Sequence, residues 1–196
     1  MTSKIIGFTG KKQSGKGYLS NLLMSEIGPA NRVSFAGPLY EYVNLVVAED
    51  WYSLMRRMEK DFQLLDVPMT KLPKAITALS RLRRDYRATQ LENGKHRWLL
   101  QQVGTEVFRN TVFRDYWLEL AWLSCTGDWN IFDDVRFENE ARICDTVIMV
   151  LGGLEGDTHD SENQKIRASV TIDNRDKDPE KANQAIKYLV EQLSCN

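Results

Sequence analysis

Cysteine and histidine are scarce in this chain, and neither is spaced for metal or disulfide chemistry. The three cysteines, Cys125, Cys144 and Cys195, are odd in number and form no Cys-x-x-Cys pair, and the two histidines, His96 and His159, lie far apart. This argues against a disulfide framework and a structural zinc site, and reads the thiols as reduced residues of an intracellular protein. Long apolar runs are missing as well. "MTSKIIGFTG" holds no apolar stretch of signal-peptide length, and no later segment approaches the ~18 to 20 apolar residues that cross a bilayer. A soluble protein with no membrane partner is expected. Nor is there an excess of one charge. With 27 acidic against 26 basic residues, no global field draws the chain to nucleic acid, so any phosphate binding has to be local.

What is present suits one domain with a sizeable core: 196 residues, 42% of them hydrophobic, with five Trp. "KIIGFT" predicts a strand over Lys4–Thr9 that runs into glycine, followed by a helix from about Gly15 that Gly28-Pro29 stops. A short strand "RVSF" (Arg32–Phe35) precedes a stretch of helices. These are expected over Leu39–Glu49, Trp51–Leu65, Lys74–Tyr86, Arg97–Phe108 and Tyr116–Ser124, with Pro68, Pro73 and Asn93-Gly94 as breaks. The β pattern returns in "WNIFDDV" (Trp129–Val135). After it come a helix over Glu138–Cys144, the strand "TVIMVL" (Thr146–Leu151), a short strand "SVTIDN" and a closing helix over Pro179–Leu193. Strands alternating with helices call for an α/β fold with a parallel sheet covered on both faces. The core is expected over 1–37 and 128–196, with a helical insertion over 38–127.

Gly10-Lys11-Lys12-Gln13-Ser14-Gly15-Lys16 fits G-x-x-x-x-G-K between the first strand and the first helix. Glycines let backbone N–H groups curl around phosphate oxygens, the helix turns its positive end toward them, and Lys16 adds a movable cation. Gly17 stands where Ser or Thr usually ligates magnesium. Magnesium is then expected on ATP oxygens, waters and a carboxylate elsewhere, which suits an ion that keeps much of its hydration shell.

The carboxylate candidates lie in "FDDVRFENEA". Asp133, Asp134 and Arg136 follow an apolar strand, at the carboxyl edge of the sheet where open α/β sheets bind ligands. Strand alternation sends the two aspartates to opposite sides, one to serve magnesium and the other the acceptor, while Arg136 offers a planar fork for a phosphate. A flat apolar face such as Trp117 suits a base, and an arginine its phosphate. "RLRRDYR" (Arg81–Arg87) reads as a solvated helix face. The polar loop "GDTHDSENQKIR" carries Lys165 and Arg167, cations that a closing lid can bring to a transferred group.

These residues carry a family likeness. "GKKQSGKGYL", "SFAGPLYEYV", "LLQQVGTEVFRNTVFRDYWLEL", "DDVRFENEA" and "DTHDSE" stand in an order similar to that of bacteriophage deoxynucleoside monophosphate kinases, and the chain resembles them nearly end to end. The resemblance implies the three-layer P-loop kinase fold. It also implies transfer of the γ-phosphoryl of ATP, with magnesium, to a deoxynucleoside monophosphate in the infected host cytoplasm. It implies ATP contacts from Lys12, Ser14, Gly15, Lys16, Gly17 and Tyr18, and an acceptor site of Arg97, Trp117, Asp134, Arg136 and Glu140. The helical insertion becomes the monophosphate-binding arm, and a homodimer stays open. Family members often carry Asp-Thr where this chain has Gly17-Tyr18. The resulting reading gives Lys16, Asp134 and Arg136 the catalytic roles and Asp133 the metal. Two rivals remain: another small-molecule kinase with the same loop, and a nucleotide-binding regulatory protein without turnover.

Overall fold

The computed structural model describes residues 3–86, 96–153 and 166–194. Its centre is β1 (Lys4–Thr9), five of whose six residues are buried, as an apolar run walled on both faces requires. β1 pairs in parallel with β3 (Trp129–Phe132) through Lys4↔Trp129 to Gly7↔Phe132. On its other edge it pairs in parallel with β4 (Thr146–Leu151) through Ile6↔Thr146 to Thr9↔Met149. β2 (Asn31–Val33) adds outside β3 and β5 (Val170–Asp173) outside β4, both parallel. The result is a mixed α/β structure with a five-stranded, all-parallel sheet in the order β2-β3-β1-β4-β5.

Period-two alternation sorts the sheet's side chains. Ile6 and Phe8 of β1 join Ile131, Ile148, Val150 and Ile172 under α1 (Lys16–Ile27) and α8 (Pro179–Ser194), which add Leu19, Leu23, Ile186 and Leu189. On the opposite face, a side chain at Gly7 would meet Cys144 Sγ and Val135 at under 3 Å, so the 134–145 segment lies directly on the strand there. Between β3 and β4 stands the short α7 (Glu138–Ala141).

The chain divides into two compact units, Met1–Ser34 with Ser124–Asn196, and Phe35–Leu123. The sheet belongs to the first. The second is helical: α2 (Gly37–Ala48), α3 (Trp51–Leu64), a 3₁₀ turn (Met69–Lys71), α4 (Leu72–Asp85), α5 (Arg97–Gln101) and α6 (Tyr116–Trp122). α5 widens into a π-type stretch over Gln102–Val112, at whose end Phe113 N–H reaches back five residues to Phe108 O. Its core gathers Tyr42, Leu54, Met58, Phe62, Leu79, Leu99, Phe108 and Tyr116.

Several boundaries differ from expectation, β2 among them, which ends at Val33 and not at Phe35. Pro73 lies in the first turn of α4 and breaks nothing, because a missing N–H costs little where the helix has no partner for it. The helix expected to end at Phe108 runs on to Val112. β3 ends at Phe132, so Asp133, Asp134 and Val135 lie beyond the ladder, and α7 stops at Ala141 rather than Cys144.

Candidate functional site

The Gly10–Lys16 loop leaves the carboxyl end of β1 and turns into α1 through two residues with left-handed backbone, Gln13 at φ 62° and Gly15 at φ 95°. Gly15 directly precedes the helix, so α1 opens without a side-chain cap and without an acidic residue in its first turn. A helix start of this kind, with the positive end of its dipole uncompensated by an acidic side chain, suits an anion. Lys16 folds back over the loop and donates from Nζ to Gly10 O at 2.6 Å and Lys11 O at 2.8 Å. Ser14 is fully buried, yet its Oγ has no hydrogen-bond partner among the described residues, which is uncommon enough to need a reason. Lys12 is half-buried, while Gly17 and Tyr18 are exposed on the first turn of α1.

Asp133 and Asp134, just beyond the end of β3, meet different partners. Asp134 Oδ2 accepts from Ser34 Oγ at 2.6 Å, just past the end of β2. Asp133 turns toward α1, where its Oδ2 lies 4.0 Å from where a Cβ on residue 17 would stand. The same oxygen is 3.7 Å from the guanidinium of Arg32, which also donates to Ser20 Oγ at 3.2 Å. Arg136 is exposed on the turn into α7. Glu140, nearly fully buried, accepts from the Arg136 N–H at 2.8 Å and the Phe137 N–H at 3.1 Å through one carboxylate oxygen. It shapes the turn that presents Arg136, by the reach-back of a helix's third residue to the N–H groups before it.

Arg97 and Trp117 belong to the second unit. Arg97 is half-buried at the first position of α5. Trp117 is 2% exposed, donates from Nε1 to Gly104 O at 3.0 Å, and packs edge-on to Tyr42 and Tyr116 with ring centroids 5.4 and 5.0 Å away. Its ring is part of the core of that unit and shows no open face. Lys165 lies outside the described residues. Arg167 is exposed, shortly before β5.

Sequence reasoning missed a buried polar chain in the second unit. Tyr42 Oη donates to Asp61 at 2.8 Å and shares a proton contact with Tyr116 Oη at 2.6 Å, while Arg57 Nε donates to Asp61 at 2.8 Å. Burial, with the Tyr116 and Asp61 charges behind it, drives Tyr42 far above the usual tyrosine range, and burial raises Tyr116 too. In the first unit, burial and the neighbouring Asp145 and Glu140 push the Cys144 thiol up to about 12, so it is no nucleophile at neutral pH. Sequence reasoning also passed over Asn174, whose side chain reaches the loop. The available signal was its place, a polar residue where a strand ends at the carboxyl edge of a parallel sheet.

No protein-family model matches the sequence, and no curated protein does. Among solved structures, the crystal structure of TT1252 from Thermus thermophilus is similar at 16% identity and a TM-score of 0.46, over 98% of this chain and 99% of that one. No helix among the described residues is long and apolar enough to cross a membrane.

Proposed function

We propose that the chain is an ATP-dependent deoxynucleoside monophosphate kinase of the three-layer P-loop kinase fold. The observation that carries the reading is the uncapped start of α1 behind a G-x-x-x-x-G-K loop, with the Ser14 hydroxyl buried and unpartnered beside it. A polyanion at that place meets the first N–H groups of α1, and Lys16 turns from the loop carbonyls to meet it. Phosphoryl transfer asks for alignment and charge neutralisation more than covalent help. Lys16 neutralises the β/γ charge, Arg136 holds the acceptor phosphate from a turn that Glu140 fixes, and Asp134, itself held by Ser34, orients the acceptor.

The residues fit magnesium in a spare way. Among the described residues no three His, Cys, Asp or Glu side chains cluster to hold a metal by themselves, but Asp133 faces position 17 and supplies one carboxylate. An ion that keeps phosphate oxygens and waters in its shell needs little more. Bound there, magnesium would neutralise charge on the phosphates.

A panel of acceptors with ATP tests the reading. ADP release that depends on a deoxynucleoside monophosphate supports it. Release with nucleosides or coenzyme precursors instead makes the chain another small-molecule kinase, and ATP binding without release under any acceptor makes it a regulatory nucleotide-binding protein.

A further inference from the structure

The Gly10–Lys16 loop is braced from behind by the ends of β4 and β5, the two strands on one side of β1. Asn174 follows the last residue of β5 and is 5% exposed. Its backbone N–H donates to Leu151 O at 3.0 Å, which carries the β4–β5 pairing one step further, and its carbonyl accepts from Lys177 N–H at 3.3 Å. With its backbone so fixed, the side chain donates from Nδ2 to Ser14 O at 2.8 Å, across 160 residues of sequence. The contact with the next residue is equally close: a Cβ on Gly15 would stand 2.2 Å from Asn174 Nδ2. From the end of β4, Gly153 presses on the same loop, since a Cβ there would lie 2.3 Å from Lys12 O and 2.9 Å from Ser14 N.

The Ser14–Gly15 peptide is planar and trans, so its C=O and N–H point in opposite directions. An amide donor that holds the Ser14 carbonyl on the sheet side turns the Gly15 N–H the other way, out toward the start of α1. The left-handed φ of Gly15 is the backbone setting that goes with this orientation. We infer that Asn174 is a positioning residue of the phosphate cradle: by pinning the Ser14 carbonyl it keeps the Gly15 N–H aimed at the bound phosphate and prevents the 14–15 peptide from flipping. The inference rests on the reading of the loop as a phosphate site and adds to it a residue from the far end of the chain. Donors fixed before the ligand arrives lose less on binding than donors that must be ordered by it.

The test uses the full chain and inorganic triphosphate without added metal. Asn174→Ala removes the donor, and Asn174→Leu removes it while keeping the bulk against Gly15 and adding no charge. Both are expected to weaken triphosphate binding about tenfold, the loss of one charge-assisted contact, with the thermal midpoint monitored to show that the variants are folded. An amide spectrum of the unaltered protein gives a second readout that needs no variant. The Gly15 N–H is expected to shift downfield on adding triphosphate, with the Asn174 side-chain amide protected from exchange throughout and Gly127 unmoved. If the unaltered protein does not bind triphosphate, the phosphate-loop reading fails and this inference with it. If it binds, but both variants bind equally well or the Gly15 resonance does not respond, the role of Asn174 is overturned and the loop reading stands.

Discussion

Lys16 carries two hydrogen bonds to carbonyls of its own loop, and both are exchanged when it turns to a phosphate. Lys16→Ala is therefore expected to cost no more than about 1 kcal/mol of stability, because it removes a surface-facing cation and no core, while transfer falls below detection. A thermal melt and an ADP-release assay on one preparation check both halves. Arg136 stands on a turn that Glu140 holds by two N–H bonds. Arg136→Ala should raise the acceptor requirement and spare ATP, with about 2 to 4 kcal/mol lost from transition-state stabilisation; equal losses for both substrates would contradict its assignment. At position 17 a Cβ would meet nothing nearer than Asp133 Oδ2 at 4.0 Å, so Gly17→Ser is expected to be tolerated. Its magnesium half-saturation is expected to move less than about threefold, against about tenfold or more for Asp133→Asn, as the proposed role of the Asp133 carboxylate requires. A magnesium titration of transfer separates the two.

Among the elements, the helices of the second unit are joined by the Asp61–Tyr42–Tyr116 chain as well as by apolar packing. Both tyrosines are held neutral in the fold, their acidities lowered by burial first. An unfolded tyrosine ionises near pH 10. The stability that these groups lend is thus complete below that pH and declines as the pH rises above it. The thermal midpoint should fall between pH 9.5 and 11, and at 295 nm two of the seven tyrosines should ionise only on unfolding. Ionisation of all seven in the folded protein would contradict the buried chain. None of this chain was legible in the sequence, since Tyr42 and Asp61 sit at helical spacing like any other residues and only packing brings their oxygens together. The strands were more legible. Lys4–Thr9 and Thr146–Leu151 stand where apolar β-branched runs bounded by polar residues predict them, because strands walled on both faces show as continuous runs. Ends were less so: β3 was expected to continue to Val135, but its pairing with β1 and β2 finishes at Phe132.

For the whole molecule, alternation of strands and helices announced a parallel sheet, yet the order β2-β3-β1-β4-β5 is set by crossover packing that periodicity does not encode. The consequence for the candidate site is direct. β1 lies at the centre, so its carboxyl end is flanked by the ends of β3 and β4; Gly153 and, one strand further, Asn174 reach the loop, and Asp133 the first turn of α1 after it. The motif at the start of the chain was legible because it is local. Its supports were not, because they come from the far end of the chain. The proposed role of this loop is to hold ATP for transfer to a nucleotide acceptor. Its most direct test is a single-turnover experiment with ATP labelled in the γ-phosphoryl group, magnesium and each of the four deoxynucleoside monophosphates, on the unaltered protein and on Lys16→Ala. Label is expected in a deoxynucleoside diphosphate for at least one acceptor with the unaltered protein, and in none with the variant. Label that stays in ATP with every acceptor, or that moves equally well without Lys16, would contradict it.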